Sequence, residues 1–468
     1  MKVLKRVLAV LGIYLLFVFI TSFMAYSDHK DVSQSYKDQF STEFMSAAGY
    51  CGERAAVSED GGEALKLRMA MIESAKEEIL LSTFDFRDDE SGQDVLACLI
   101  HKAEEGVKVK VLIDGFTGTF NTMGSENFKA LASHPNAEIK IYRPIDLLKP
   151  WEAHVRVHDK FIVVDDEVYL LGGRNTNELF LGDYYEEVNY DREVLIYDEE
   201  KRENSSLQQL KSYFYQLWQT DESRLFYNEI SQKKSVVKAK QKLMKRYENL
   251  KRKQPECFQP LDWAEFTYEA AYVGLLTNPI DQQNKEPEVW YGLSRMMEQA
   301  KDVIIQTPYI ICSDDMYQDL NRVAGNGTEI KVITNSAESG ANVIGSADLY
   351  NEKDNLLKTG IKLYEQVSDA SIHTKSLLID EAISVIGSFN VDMRSTYIDT
   401  ETMVVIHCKP INEKLRQQAD FAMSQSRMAV DEKNYIYGEK METKELGWGK
   451  RLAILLLRVI DPLIRWLL

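Results

Sequence analysis

The chain has 468 residues, more than a single hydrophobic core usually holds, so two domains are expected. Its formal net charge of −17 argues against a general nucleic-acid coat protein, whose surface would be basic. The five cysteines (51, 98, 257, 312 and 408) are widely spaced, odd in number and form no Cys-x-x-Cys pair, so they support neither a zinc site nor a disulfide framework.

After Lys2, Lys5 and Arg6, the run from Val7 to Tyr26 carries no charge. As a helix it spans about 30 Å, enough for the hydrocarbon core of a bilayer. A cleaved signal peptide is the competing reading, but the run is long for one and the Ala25 region makes a poor small-x-small cleavage site. An uncleaved transmembrane anchor over 7–26 is therefore expected. Basic residues precede it, while Asp28, His29, Lys30 and Asp31 follow. The positive-inside tendency puts the N-terminus in the cytoplasm and the body outside the cell membrane.

The body reads as α/β units written twice. A helical pattern over 64–76 leads into an apolar run over 77–84, and the pattern over 288–301 leads into a matching run over 302–309, with Phe84 against Tyr309. A helical stretch over 93–105 follows the first run. Residues 107–113 then parallel 329–334, residues 137–142 parallel 360–364, and residues 192–197 parallel 402–407. Short β-branched runs alternating with helices predict mixed, largely buried sheets in two duplicated domains. The repeat is far too long for a solenoid.

Between the halves, 231–253 is strongly basic, with Val236, Leu243, Tyr247 and Leu250 as a thin apolar stripe. It reads as a solvated linker helix, with anionic lipid headgroups or nucleic acid as alternative contacts. At the far end, 448–468 carries Arg451, Arg458 and Arg465 in a stripe, with leucine, isoleucine, valine or tryptophan nearly everywhere else. Arg458, Asp461 and Pro462 in mid-segment make spanning costly. An amphipathic helix lying in the membrane interface is expected over 446–468, with packing on the protein's own core as the alternative.

One pattern carries the chemistry. Residues 158–165 read His-Asp-Lys-Phe-Ile-Val-Val-Asp, and 373–380 read His-Thr-Lys-Ser-Leu-Leu-Ile-Asp. Each copy runs on into a glycine turn ending in asparagine: Gly172-Gly173-Arg174-Asn175, then Gly387-Ser388-Phe389-Asn390. In a strand, His158 and Lys160 share one face, as do His373 and Lys375. Asp165 and Asp380 fall on the other parity, which suits bracing of the strand end. A phosphodiester repels nucleophiles and has a poor leaving group. Two lysines and two asparagines can neutralise its oxygens, while two imidazoles divide attack and proton transfer. His154 tempts a metal reading beside His158, but no third ligand is near, and a pocket wall suits it better. His29, His101, His134 and His407 have no supporting pattern.

This duplicated His-x-Lys-x-x-x-x-Asp resembles the signature of the phospholipase D superfamily, over about residues 61–429. The turns, notably Gly387-Ser388-Phe389-Asn390-Val391-Asp392-Met393-Arg394-Ser395, are similar to those of bacterial cardiolipin synthases of the C type. Asp183-Tyr184-Tyr185 departs from that pattern. The resemblance implies two phospholipase D-like α/β domains, 61–222 and 258–429, packed as a pseudo-twofold pair about a linker at 223–257. It implies a catalytic set of His158, Lys160, Asp165, His373, Lys375 and Asp380, with Lys160, Lys375, Asn175 and Asn390 on the phosphoryl oxygens. His158 is then the nucleophile, forming a phosphohistidine, and His373 the acid and base. The near symmetry leaves the reverse assignment open. It further implies acids reaching across the halves: Glu401 to His158, and Asp191 to His373, with Glu193 competing for that place. No cofactor or metal is implied. The expected function is phosphatidyl transfer, with phosphatidylglycerol or phosphatidylethanolamine as substrates. A hydrolytic phospholipase D is the alternative, and a nuclease or a silent membrane scaffold is disfavoured.

Overall fold

The computed structural model describes residues 2–227, 229–280 and 284–468; the side chains of Lys2, Ser22, Phe23 and Ala25 lie outside that description. The Lys2 charge and the Ala25 region, both part of the reading of the N-terminus, therefore fall outside it.

The described residues form two sheets. The first contains β1 (Glu53–Ser58), β2 (Glu78–Thr83), β3 (Lys108–Asp114), β4 (Ala137–Tyr142), β5 (Phe161–Val164), β6 (Val168–Gly172), β7 (Glu193–Asp198), β8 (Ser223–Leu225) and β9 (Tyr268–Glu269). Its spatial order is β8-β4-β3-β2-β5-β6-β7-β1-β9. The second contains β10 (Tyr272–Thr277), β11 (Asp302–Gln306), β12 (Glu329–Asn335), β13 (Lys362–Gln366), β14 (Ser376–Ile379), β15 (Ile383–Gly387), β16 (Thr402–His407), β17 (Ser426–Ala429) and β18 (Tyr435–Tyr437). Its order, read from the other end, is β18-β17-β13-β12-β11-β14-β15-β16-β10. From β8 to β1 and from β17 to β10, the two sheets match strand for strand. In each, three strands run parallel (β2–β4, β11–β13) and the rest pair antiparallel.

The duplication is thus a repeat of topology as well as of sequence. The first sheet takes in β1, upstream of residue 61, and its far edge is β9, from beyond residue 258. The second takes in β18, beyond residue 429. The edge strands escape the sequence because they are short or flank the repeated blocks.

Three apolar clusters hold the layers together. One lies between the first sheet and the helices Gly61–Ser74, Glu90–Glu104 and Glu126–Ala132. Another backs the second sheet with Glu288–Met297 and Asp314–Gly325. The third joins the halves, with Leu80, Val163 and Val194 of the first sheet and Ile304, Leu378 and Val404 of the second in one buried cluster. Each such side chain contributes about 1.5–3 kcal/mol of burial, so the interface between the halves is a core in its own right.

The basic segment is a helix, Lys234–Lys253, and it is packed as well as solvated. Val236, Ala239, Leu243, Tyr247 and Leu250 are buried against the first domain, as its apolar stripe suggests. Arg246 pairs with Asp94 at 2.5 Å and Glu90 at 2.8 Å. The N-terminal helix Lys2–Val18 continues through Phe19–Tyr26; most of its described apolar side chains from Val3 to Ile20 are exposed, while Phe17 meets Trp151 and Tyr26 is buried. Over Val3–Thr21 it is long and apolar enough to cross a membrane.

Candidate active site

Because β5 runs antiparallel to β2, and β14 to β11, the residues just before β5 and β14 sit at the C-terminal ends of the parallel strands. This is where His158 and His373 lie. The sequence suggested strand geometry for His158 and Lys160, yet the regular strand begins only at Phe161. The reason is a change of partner. Val157 bridges to Thr400 of the other half, with His158 N donating to Thr400 O (3.3 Å) and Thr400 N to Arg156 O (3.0 Å). The second copy repeats this: Tyr190 bridges to Ile372, His373 N donates to Tyr190 O (2.6 Å), and Tyr190 N to Ser371 O (3.0 Å).

These two bridges set an acid of one half beside the histidine of the other. Glu401 Oε1 lies 2.8 Å from His158 Nδ1, and Asp191 Oδ2 lies 2.6 Å from His373 Nδ1. Both acids are fully buried on their side chains, while the imidazoles remain partly open. An acid on Nδ1 fixes the tautomer and leaves Nε2 for chemistry. Glu401 is itself held by Ser395 Oγ (2.6 Å) and Ser388 Oγ. Glu193, the competitor of Asp191, is engaged instead by Arg68 (2.7 Å) and Arg174 (3.3 Å) within β7.

The lysines complete a cationic floor. Lys160 and Lys375 are buried, and each Nζ donates to the carbonyl of its own histidine, His158 and His373. Lys375 Nζ also lies 2.9 Å from His373 Nδ1. Burial, opposed by the nearby carboxylates, lowers Lys160 to about 8 and Lys375 to about 7. Burial and the adjacent lysine push His158 well below the usual imidazole range and His373 to about 3. Each lysine also acts on the histidine of the other half. Burial would raise Asp191, but His373, Lys375 and Arg174 outweigh it and hold the carboxyl below its ordinary value. Glu401 is raised by burial against the pull of Lys160. The neutral form of both imidazoles is therefore favoured, and an anion over the lysines would hold the two ammonium charges more firmly.

Asn175 and Asn390 are buried in the turns after β6 and β15, and each has an amide oxygen with no partner among the described residues. Their turns are pinned by Thr176 N to Asp85 O (2.9 Å) and by Ile311 N to Val391 O (2.9 Å). Since the two ends of an amide are assigned from their partners, either end can be presented to a phosphoryl oxygen as a donor. Asp165 and Asp380 stand apart from this group, at the opposite ends of β5 and β14. Asp165 accepts from the amides of Lys76 (2.9 Å), Glu77 (2.9 Å) and Glu78 (2.8 Å), and Asp380 from those of Lys301 (2.9 Å) and Asp302 (3.1 Å). Both have a positive φ, 53° and 45°, which Asp tolerates better than most residues. Their carboxylates brace the strand starts and do not face the histidines.

His154 ends the short turn Pro150–Ala153, where its ring meets Tyr26 edge-on at 5.7 Å. Burial, Arg394 and Arg156 lower it to about 4. Among the described residues no group of three His, Cys, Asp or Glu side chains is arranged to hold a metal ion. The other histidines make local contacts: His29 stacks on Tyr397, His101 stacks on Tyr247, His134 pairs with Glu104 and His407 meets Phe44 O.

Aromatic walls are the part of the site that motif reasoning left out. Phe84 packs edge-on against His158 at 5.2 Å with Lys160 Nζ over its face, and Phe180 packs against His373 at 4.8 Å. Tyr309 Oη accepts from Asn390 Nδ2 at 3.2 Å. The repeat already placed Phe84 opposite Tyr309, so their shared position was the available signal.

Residues 69–218 and 293–422 match the family described as "Cardiolipin synthase, PLD-like domain". The chain belongs to that family, one domain of it in each half. A cardiolipin synthase of Clostridium perfringens strain SM101 is 23% identical over 415 residues, covering 86% of this chain and 77% of its own. An uncharacterised protein of Helicobacter pylori strain J99 is 26% identical over 403 residues, covering 77% of this chain and 78% of its own. The crystal structure of phosphatidylserine synthase from Haemophilus influenzae Rd KW20 superposes with a TM-score of 0.63 at 16% identity, covering 88% of this chain and 95% of that one. At that identity the likeness is one of fold.

Proposed function

We propose that the protein is a membrane-anchored phosphatidyltransferase of phospholipid metabolism, similar in activity to cardiolipin synthase. The observation that carries this reading is the cross-braced pair, His158 with Glu401 and His373 with Asp191, over two buried lysines. The lipid substrate class is supported by the relatives named as cardiolipin synthases and by the exposed apolar N-terminal helix.

In this mechanism a phospholipid's phosphodiester lies over Lys160 and Lys375, with Asn175 and Asn390 donating to its non-bridging oxygens. His158 Nε2 attacks phosphorus and forms the P–N bond while the P–O bond to the headgroup alcohol breaks. His373, protonated in the substrate complex, gives its proton to the leaving alkoxide. An incoming lipid alcohol then loses its proton to His373, attacks phosphorus and releases His158. Glu401 stabilises the imidazolium character that develops on His158. No step calls for a metal or a cofactor.

Protein reconstituted with phosphatidylglycerol, alone or with phosphatidylethanolamine, is expected to form cardiolipin. Phosphatidic acid as the sole product would replace this reading with that of a hydrolytic phospholipase D, in which water is the acceptor. DNA degradation lost in His158→Ala would favour a nuclease, which the net charge of −17 disfavours. The N-terminal helix would span the cell membrane with the body on the extracytoplasmic side, as its flanking charges suggest. A reporter fused at the C-terminus tests that orientation.

A further inference from the structure

The helix Trp448–Ile464 packs on the body along one narrow line, where Ile454 and Asp461 are buried, and leaves most of its apolar side chains in the open. Asp461 is buried and accepts from Asn351 Nδ2 at 2.9 Å, and Arg458 Nε donates to Asn351 Oδ1 at 2.9 Å. Just beyond the helix, Arg465 pairs with Asp348 at 2.5 Å. The opposite face, Leu452, Leu455, Leu456, Val459, Ile460 and Leu463, is exposed. A helix packed on a soluble protein buries its apolar stripe, and a contiguous exposed one marks an interaction surface.

Two further observations say what covers it. First, the helix ends beside the base of the N-terminal helix. Leu467 and Tyr26 are buried in the same apolar cluster. Arg394 ties the two together, donating to Leu467 O at 3.2 Å and to His154 O at 2.6 Å, and the His154 ring meets Tyr26. Both apolar helices therefore leave the body at one arginine, four residues beyond Asn390.

Second, the first half has an apolar rim at the same strand ends. Phe116 and Phe120 follow β3, and Leu147 and Leu148 follow β4; all four are exposed. Tyr14 of the N-terminal helix donates to Leu147 O at 2.6 Å. In the second half, the helix Val343–Lys358 follows β12 as residues 115–132 follow β3, and it carries the C-terminal helix. Exposed apolar rims thus flank the histidine pair from both halves, at the edge where the parallel strands end.

We infer that the Trp448–Ile464 helix lies flat in the interfacial layer of the leaflet from which the N-terminal helix emerges, so that the His158–His373 site faces lipid headgroups. Arg458, Asp461 and Pro462 in mid-helix suit this in-plane position and not a second crossing. The inference rests on reading the N-terminal helix as a bilayer anchor. It gives the site a physical route to substrate, since a phospholipid need only rise from the leaflet between the two rims.

The test is collisional quenching of a thiol-reactive fluorophore on the full-length protein in vesicles containing phospholipid spin-labelled near the headgroup. One label is placed through Leu456→Cys, another through Lys358→Cys at the exposed far end of Val343–Lys358. Labelling of the parent protein, whose Cys51 is half-buried and whose other cysteines are buried, sets the background. Quenching at 456 is expected to exceed that at 358 by roughly threefold or more, as befits a residue sunk in the interface. Equal quenching, with both labels open to an aqueous quencher, would overturn the inference. Turnover plays no part in this measurement, so it stands or fails independently of the proposed reaction. A second arm uses Leu455→Asp with Val459→Asp, both exposed in the fold. Transfer on vesicles is expected to fall about tenfold, with activity on a water-soluble short-chain phosphodiester retained. Unchanged vesicle activity would count against the inference.

Discussion

Glu401→Gln isolates one charge at the centre of the site. Gln keeps the size of the side chain and can still accept from His158 Nδ1, now 2.8 Å from Glu401 Oε1, while Ser388 and Ser395 can rotate their hydroxyls to suit an amide. What it removes is the negative charge that faces the imidazolium as His158 attacks. With charge centres about 4 Å apart and an effective dielectric constant of about 20, that interaction is worth up to about 4 kcal/mol. The charge develops only along the reaction, so the loss should appear in kcat, by about 10²–10³-fold, with KM within about threefold. The assay is the initial rate of cardiolipin formation in phosphatidylglycerol vesicles, with Tm of the detergent-solubilised protein as a check on folding. A fall in kcat of less than about fivefold would refute the reasoning, because it would mean that burial keeps Glu401 protonated and uncharged.

Other perturbations separate bracing from chemistry. Asp165→Asn keeps a residue tolerant of positive φ but takes the charge from an acceptor of three backbone amides, and should cost about 1–3 kcal/mol, read as a lower Tm, with kcat per folded molecule unchanged. Gly173→Ala would bring a Cβ to 2.3 Å from Asp191 Oδ1, so the carboxylate must shift off His373 and kcat should fall by about tenfold or more; full activity would show that the alignment of Asp191 is dispensable. Lys160 and Lys375, lowered to about 8 and about 7 by burial, lose their charge between pH 7 and pH 9, so KM for an anionic diester should rise by about tenfold or more over that range, and a flat profile would contradict it. The same lowering means that the unfolded chain binds protons that Lys375 in the fold does not, so without substrate the Tm of wild type should gain on that of Lys375→Met as pH rises from about 7 to about 9.

The repeating blocks of the fold were legible because local pattern and tertiary role agree in them. Residues 137–142 and 402–407 form β4 and β16 with the expected bounds, and their apolar runs are buried as parallel or central strands demand. The edge strand β9 and its neighbour β1 were not, β9 because so short a strand is defined by what it pairs with and β1 because it lies outside the repeated blocks. In the site, the motif and the resemblance supplied His158, Lys160, His373, Lys375, Asn175 and Asn390. The resemblance also implied Glu401 and Asp191, and what the sequence did not show is that Arg68 and Arg174 engage the competitor Glu193. The departure from strand geometry at His158 was likewise invisible, because Val157 pairs with Thr400, across the whole duplication. The C-terminal stripe was readable as a stripe, but only the contacts with Asn351 and Asp348 reveal that Asp461 and Arg465 tie the helix to the body while its wide apolar face stays open.

The central claim is that both halves build one site. Rates of cardiolipin formation by wild type, His158→Ala and His373→Ala in phosphatidylglycerol vesicles, followed by lipid mass spectrometry, test it most directly. A composite site predicts that either substitution alone lowers the rate by about 10³-fold or more, as expected when residues act as a unit. Two independent sites, one per half, would leave each variant with roughly half the wild-type rate, and that result would contradict the account.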